Sequence, residues 1–268
     1  MKKRSVLKNT LVQACLAVIL LSATQESSAQ DDSQSIPITI DNELNEKIFD
    51  GRWTHVTEWK QSSLVYMRDE STPVTLRISH LGDFVYVLVD SVHDTTPDEQ
   101  KDHAMICFDT KIDNNTKPDT SSYCFISKLG SEKGVTLRWS EESQSFEMTE
   151  SHSELIIVGG ISDENDRYSK VPHASYEFKI PLELFGRYDS YGFFASSYDH
   201  SKTEFSTWPV GVQVSTESEI PDRLSWGFIH SPDKSLPEYE LPISIFLISI
   251  LLTFFITTKL AKRINYRI

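Results

Sequence analysis

Positive charge is scarce in this sequence of 268 residues, which has 26 Lys and Arg residues against 39 Asp and Glu residues and a formal net charge of −13. A group of basic residues lies at each end of the chain, so the region between them is more acidic still. Such a surface repels the phosphates of DNA and RNA and the head groups of anionic lipids. The composition therefore argues against a nucleic-acid partner and suits solubility, cation binding or neutral ligands such as sugars.

Catalytic signatures are also missing. The sequence has no Gly-x-Ser-x-Gly motif, no His-Glu-x-x-His motif and no Gly-rich phosphate loop. The neighbouring acids Glu141-Glu142 and Asp163-Glu164 are typical of solvated turns, whereas a glycosidase needs two carboxylates that face each other about 5–10 Å apart. The sequence predicts a protein that is not an enzyme.

The N-terminus carries a targeting pattern. Residues 1–29 combine a basic start, an apolar run at 11–21 and the small residues Ser27-Ser28-Ala29, as in a cleaved signal peptide. The alternative is a membrane anchor, but a run of about 11 residues is shorter than the roughly 20 that cross a bilayer.

The C-terminus predicts a membrane element. Residues 241–258 contain no charge and are mostly Ile, Leu and Phe, which predicts a transmembrane helix. Residues 259–268 form a basic tail that should stay in the cytoplasm, and residues 231–240 form a short Pro-containing stalk. We predict a single-pass protein of the cell membrane with an extracellular domain at residues 30–230.

Helical periodicity is absent from this domain, since no stretch of ten or more residues shows it. Short strand patterns at regular spacing predict an all-β fold, an antiparallel β-sandwich of the jelly-roll or immunoglobulin-like type. Besides one hairpin, we predict strands at 36–40, 64–67, 74–79, 83–90, 135–139, 145–148, 155–158, 176–180, 191–197, 205–208 and 224–229. Residues 182–185 should form a short turn or a single helical turn.

The hairpin at residues 102–126 contains both cysteines that lie outside the N-terminal segment, Cys107 and Cys124. Pairing them sets Ile106 opposite Phe125 and leaves one face of the hairpin apolar. An exported chain with two mature cysteines favours a disulfide between them. The alternative is two free buried thiols.

The loop of this hairpin is rich in oxygen-bearing side chains, which are the ligands that Ca²⁺ prefers. The candidate ligands are Asp109, Asp113, Asn115 and Asp119. Asp90 and Asp94 could complete the site if their loop lies alongside. The spacing lacks the central Gly and the terminal Glu of an EF-hand, so ordinary turn residues are the alternative reading.

Aromatic residues suggest a second kind of site. Pyranose rings pack on aromatic faces, with polar groups at the edges. The candidates for such a platform are Trp139, Tyr123, Tyr198 and Trp226, and the alternative is that they are core residues, as we predict for Trp53, Trp59 and Trp208.

Haem binding is not favoured, although an axial pair could be chosen from scattered residues. The possible ligands are His80, His103 and His173 together with Met67, Met105 and Met148. Scattered His and Met residues are more often surface and core residues.

Five motifs in order resemble family 9 carbohydrate-binding modules and their relatives in the DOMON-like superfamily, over residues 40–230. They are Asp50-Gly51-x-Trp53 with Glu58-Trp59, the run 84–90, the run 106–110, the run 176–182 and Trp208-Pro209. The resemblance implies a β-sandwich that binds saccharides without cleaving them, sometimes with structural Ca²⁺. Asp109 matches the Asp that closes the family's central strand.

The tail that begins Leu236-Pro237-Glu238-Tyr239 is similar to prokaryotic, notably archaeal, surface-protein sorting tails. Together these features predict a cell-surface protein that binds a polysaccharide or other glycan, with a link to carbohydrate catabolism. The alternatives are a DOMON-like haem or redox module and a structural envelope or adhesion protein without a small ligand.

Overall fold

The computed structural model describes residues 34–41, 47–68, 73–110, 117–217 and 219–231. No helix in this part of the chain has the length and apolar character needed to cross a bilayer. The predicted signal peptide, membrane span and basic tail, and all of the predicted stalk except Ser231, lie outside the described residues.

The described residues form two β-sheets, which confirms the all-β class and agrees with the predicted sandwich. The strands are β1 (Ser35–Pro37), β2 (Thr39–Ile40), β3 (Ser63–Tyr66), β4 (Thr75–Leu81), β5 (Phe84–Ser91), β6 (His103–Asp109), β7 (Tyr123–Lys128), β8 (Val135–Ser140), β9 (Ser145–Met148), β10 (Ile156–Ile161), β11 (Ala174–Pro181), β12 (Ser190–Asp199), β13 (Glu204–Trp208) and β14 (Gly227–His230). Short 3-10 helices lie at Leu182–Leu184 and Arg223–Ser225.

The first sheet has the order β1-β14-β12-β6-β7-β8-β9, and β13 also pairs with β12. The second sheet has the order β10-β11-β5-β4-β2, and β3 also pairs with β4. The main core lies between the sheets, where Ile106 and Phe108 of the first sheet share one apolar cluster with Val87 and Phe178 of the second.

The sequence of β5 is apolar on both faces because other parts of the protein cover both faces of this strand. Val85, Val87 and Val89 face the core between the sheets. Leu88 points the other way and packs against Trp53 and Trp59. The prediction of a central strand is confirmed, since β5 pairs with β4 on one side and β11 on the other.

The hairpin is formed by β6 and β7 in the predicted register, with Cys107 opposite Cys124 and Ile106 opposite Phe125. The two cysteines form a disulfide, as predicted. Ile106 and Phe125 face the main core, whereas the cysteines face the outer side of the first sheet.

A covering segment, residues 209–217 and 219–226, lies over that outer side. It begins after a cis Trp208–Pro209 bond and packs Val212, Val214 and Trp226 against the cysteines and their neighbours. The outer face of the first sheet is therefore partly a second apolar layer and not a fully solvated surface.

Residues 47–62 cover the outer face of the second sheet in a similar way. The carboxylate of Glu177 on β11 is fully buried there and accepts hydrogen bonds from the backbone N–H groups of Asp50 and Gly51 and from the indole N–H of Trp59. Burial raises the pKa of Glu177 to about 8. Gly51 has a φ of +83°, in the left-handed region that glycine adopts most easily.

The first predicted strand, 36–40, divides between the two sheets. Its first part, β1, pairs in parallel with β14, and its second part, β2, pairs in parallel with β4. Ile38 lies at the crossing and is buried in the main core.

Candidate functional site

The candidate site lies on the outer side of the first sheet, where β12 and β13 form a hairpin. Alternation along β12 turns Phe193 and Ala195 toward the main core and Phe194 outward. Tyr198 lies on the outward side as well, directly opposite Phe205 of β13. The centroids of the two rings are 4.6 Å apart.

Two adjoining grooves lie beside these rings, with volumes of about 500 and about 560 Å³. Both volumes fall within the range of small-molecule sites, about 300–1,000 Å³. Thr203, Phe205 and Val214 line both grooves. The covering segment therefore forms one wall and the β12–β13 hairpin forms the other.

The first groove combines the rings with polar groups. Its lining consists of Tyr198, Thr203, Phe205, Val214, Ser215, Thr216 and Glu217. Desolvation and the neighbouring Glu217 carboxylate raise the pKa of the Tyr198 hydroxyl. The imidazole of His103 packs against the Tyr198 ring at 5.2 Å between centroids.

The second groove has an ion pair at its rim. Arg68 donates a hydrogen bond of 2.8 Å to Glu204, which lies at the start of β13. The hydrogen bond from Arg68 lowers the pKa of Glu204. A glycosidase acid needs a raised pKa, so this carboxylate is poorly suited to that role.

In the first groove the partly exposed Phe205 presents apolar ring surface, with the buried Tyr198 ring packed against it and hydroxyl and carboxylate groups nearby. Ring faces pack against the C–H face of a sugar, and the polar groups can hydrogen-bond with its hydroxyls. The grooves therefore have the chemistry to hold a neutral polyol.

The four aromatic residues predicted to bind sugar do not lie together. Tyr198 lines the first groove, although its side chain is as buried as those of Tyr123 and Trp226. Tyr123 is buried in the main core, Trp226 is buried against Phe194, and Trp139 packs edge-on against Phe146 of β9. A single platform built from all four is therefore not formed.

Sequence reasoning missed Phe205 and Glu217. Phe205 could have been found from the pairing of adjacent strands. If residues 191–197 and 205–208 form a hairpin with a short turn, Tyr198 and Phe205 lie opposite each other. Glu217 lies in an irregular segment, where no periodic signal locates it. The predicted core tryptophans Trp53, Trp59 and Trp208 are all buried.

The described residues among those considered for Ca²⁺ binding lie in three places. Asp109 is buried at the end of β6 and pairs with Arg223, and Asp119 accepts hydrogen bonds from Ser121. Asp113 and Asn115 lie outside the described residues, so a calcium site in this loop stays a prediction. Asp90 lies beside His173, and Asp94 lies beside Asp102 at the start of β6, whereas Asp109 is at its end.

Of the residues considered for haem, one has another partner and one lies at the surface. His173 is buried, and its Nε2 lies 2.7 Å from Oδ1 of Asp90. Met148 lies on β9 and is 77% exposed. These two residues therefore do not form a pair of axial haem ligands.

No protein-family model matches the chain, and no curated protein matches its sequence. Among solved structures, the fold is similar to a family 9 carbohydrate-binding module from Caldicellulosiruptor kristjanssonii in complex with cellotriose. The identity is 12%, the TM-score is 0.45, and the match covers 74% of this chain and 93% of that one.

A family 9 module from the same organism in complex with glucose matches at 13% identity and a TM-score of 0.44, over 74% of this chain and 95% of that one. A candidate carbohydrate-binding protein from Bacteroides uniformis matches at 11% identity and a TM-score of 0.41, over 74% and 97% of the two chains. These likenesses are too distant to say what this chain binds.

Proposed function

We propose that this protein binds a saccharide, without cleaving it, in the grooves beside Tyr198 and Phe205. The observation that carries the proposal is the pairing of Tyr198 and Phe205 on the outer side of the first sheet, where both line a groove together with Thr203, Ser215, Thr216 and Glu217. The motif order that resembles family 9 carbohydrate-binding modules supports the same function. The acidic composition suits a neutral ligand of this kind.

We further propose that the protein acts at the cell surface as a single-pass membrane protein. This proposal rests on the patterns at residues 1–29 and 241–258. Protease treatment of intact cells should digest residues 30–240 and spare a tag placed after residue 268. Protection of the whole chain would contradict the topology.

Saccharide binding can be tested with the full-length chain on a glycan array, followed by calorimetry on any saccharide that binds. The chain should be purified in a polyoxyethylene detergent, since detergents with maltoside or glucoside head groups would compete for the site. Phe205→Ala should weaken binding about tenfold, because it removes one stacking surface.

Trp139→Ala is the matched control. It also removes a partly exposed aromatic ring from the first sheet, but on β8 and away from the grooves. Binding in this variant should be unchanged. If no saccharide binds to the wild-type chain, saccharide binding is wrong; if Trp139→Ala weakens binding and Phe205→Ala does not, the grooves are not the site.

A further inference from the structure

Lys47 carries a buried amine that the proposed saccharide site does not use. It begins the segment that covers the outer face of the second sheet, and its side chain is only 4% exposed. Its Nζ lies 2.5 Å from Oδ2 of Asp41, which directly follows β2 and has a side chain that is 3% exposed. Lysine side chains usually keep their ammonium group in water, so a pair buried this completely is unusual.

The surroundings of this amine are largely aromatic. Nζ lies over the ring of Trp59, 4.1 Å from its centroid, and the centroid of the Tyr86 ring is 5.8 Å away. Nζ also donates a hydrogen bond of 2.8 Å to the backbone carbonyl of Glu58. Desolvation lowers the pKa of Lys47 despite the neighbouring Asp41 carboxylate. A desolvated lysine reaches its neutral, nucleophilic form more easily than a solvated one.

The ion pair of Lys202 with Asp199 provides a contrast within the same chain. Nζ of Lys202 lies 2.8 Å from Oδ2 of Asp199, but the lysine side chain is 38% exposed. Water stabilises the charged form of this lysine, so the pair should remain an ordinary salt bridge. In the pair of Lys47 and Asp41, both partners are shielded from water.

Asp41 is placed for attack by the amine. Because Oδ2 is bonded to Cγ, Nζ of Lys47 lies at most about 3.7 Å from Cγ, close to the roughly 3–3.5 Å of a near-attack geometry. The buried hydroxyl of Ser79 donates a hydrogen bond of 3.0 Å to Oδ2, and the hydroxyl of Ser62 donates in turn to Ser79. Such donors stabilise the negative charge that develops on a carboxyl oxygen during attack.

Two other carboxyl groups lie near the amine, and neither depends on its charge. The side chain of Glu58 accepts hydrogen bonds from two backbone N–H groups. Burial raises the pKa of Glu177 to about 8, so this group is mostly protonated at neutral pH. Asp41 is therefore the carboxyl group to which Lys47 is committed.

We propose that Lys47 and Asp41 condense to form an isopeptide bond between Nζ and Cγ. A proton passes from Nζ to the carboxylate, and the neutral amine then attacks Cγ. The bond from Cγ to Oδ1 breaks, and Oδ1 leaves as water with two of the three ammonium protons. Charges and atoms balance, so no oxidant or cofactor is needed. The reaction replaces a buried ion pair by a neutral amide, which removes the desolvation cost of two charges.

The neighbouring groups already match the product. The amide N–H keeps the Glu58 carbonyl as its acceptor, and the amide oxygen, which was Oδ2, keeps the Ser79 hydroxyl as its donor. The bond would tie the end of β2 to the segment that covers the outer face of the second sheet. It depends neither on saccharide binding nor on the proposed membrane topology.

Peptide mapping of the full-length wild-type chain tests the bond directly. The protein is denatured, its free amines are acetylated, and trypsin then cleaves only after arginine. The peptide that ends at Arg52 should be lighter than its sequence by about 18 Da, the mass of one water molecule, and Lys47 should carry no acetyl group. Its fragment spectrum should contain no ions from cleavage between residues 41 and 47. Lys202 is the internal control and should be fully acetylated.

Lys47→Arg is the matched variant, because arginine keeps the positive charge but its guanidinium stays protonated and does not act as a nucleophile. Trypsin should now cleave after residue 47 and release a peptide of full mass. The Tm of the wild-type chain should exceed that of the variant by roughly 5 °C or more, since the bond closes the loop at 42–46. The bond itself is read in wild-type protein, so the test does not require the variant to fold.

Two results would overturn the proposal. One is an acetylated Lys47 in a peptide of full mass, which would show that the pair remains a salt bridge. The other is a loss of one water together with an acetylated Lys47, reversed by hydroxylamine. That result would show that Asp41 had cyclised with the backbone to an imide and had not bonded to the lysine.

Discussion

Replacing Cys107 and Cys124 by alanine, singly and together, should destabilise the protein in a strongly non-additive way. The two residues are 17 positions apart, and closing a loop of that length stabilises the fold by about 3 kcal/mol in the chain-entropy model. Each sulfur is also fully buried in the layer that contains Phe194 and Trp226, so its removal costs about 1 kcal/mol more in lost packing.

These two contributions combine differently in single and double variants. Each single variant loses the whole bridge and one sulfur, which gives about 4 kcal/mol. The double variant loses the same bridge and two sulfurs, which gives about 5 kcal/mol, not the sum of the single values. Two independent buried thiols would instead cost about 1 kcal/mol each and about 2 kcal/mol together.

Urea unfolding followed by tryptophan fluorescence measures these costs, with Cys15→Ala in all chains so that thiol counts are unambiguous. The m-value should rise in every variant that lacks the bridge, because its unfolded chain is less compact. Additive costs, together with two titratable thiols in the unfolded Cys15→Ala protein, would refute the bridge.

Two further predictions concern a close backbone contact and a buried ion pair. Gly51→Ala should cost more than about 3 kcal/mol, because the added Cβ would lie 2.4 Å from the backbone N of Gly160. The control Gly82→Ala has a φ of +58° but open space around it, so it should cost only about 1 kcal/mol in urea unfolding, and equal costs would contradict the close contact. The free energy of unfolding should fall by on the order of 3 kcal/mol between pH 6.5 and pH 9, because the hydrogen bond that His173 donates to the Asp90 carboxylate holds the pKa of His173 at about 9, above its ordinary value of 6.5. His173→Gln should flatten this slope in unfolding curves recorded across that range, and an unchanged slope would show that other groups cause it.

The strands and the hairpin register were accessible from the sequence because they depend on local alternation. Strand β9 has the predicted bounds, and the pairing of Cys107 with Cys124 follows from a period of two along each strand. The single strand predicted at 36–40 was wrong in one respect, since its two halves join different sheets. Ile38 is buried in the core between the sheets. The local sequence pattern does not show which sheet each half of the segment 36–40 will pair with.

The outer faces of the sheets were harder to predict, because what covers a face is decided by distant segments. Glu177 alternates with apolar neighbours, a pattern that normally places a carboxylate in solvent, yet residues 47–62 bury it. Tyr123 lies on the same face of β7 as Phe125, so the hairpin register places it in the core between the sheets. Asp199 is distant in sequence from Asp94 and Asp102, so only the folded chain brings their three carboxylates together.

The pairing of the first and last described strands has a mechanical consequence. Strand β1 runs parallel to β14, and the backbone N–H of Ile38 donates to the carbonyl of His230. Tension applied through the two chain ends would pull these strands past each other along their length. Their hydrogen bonds would then bear the load together and not open one after another, so the domain would resist stretching along the line on which its ends are pulled.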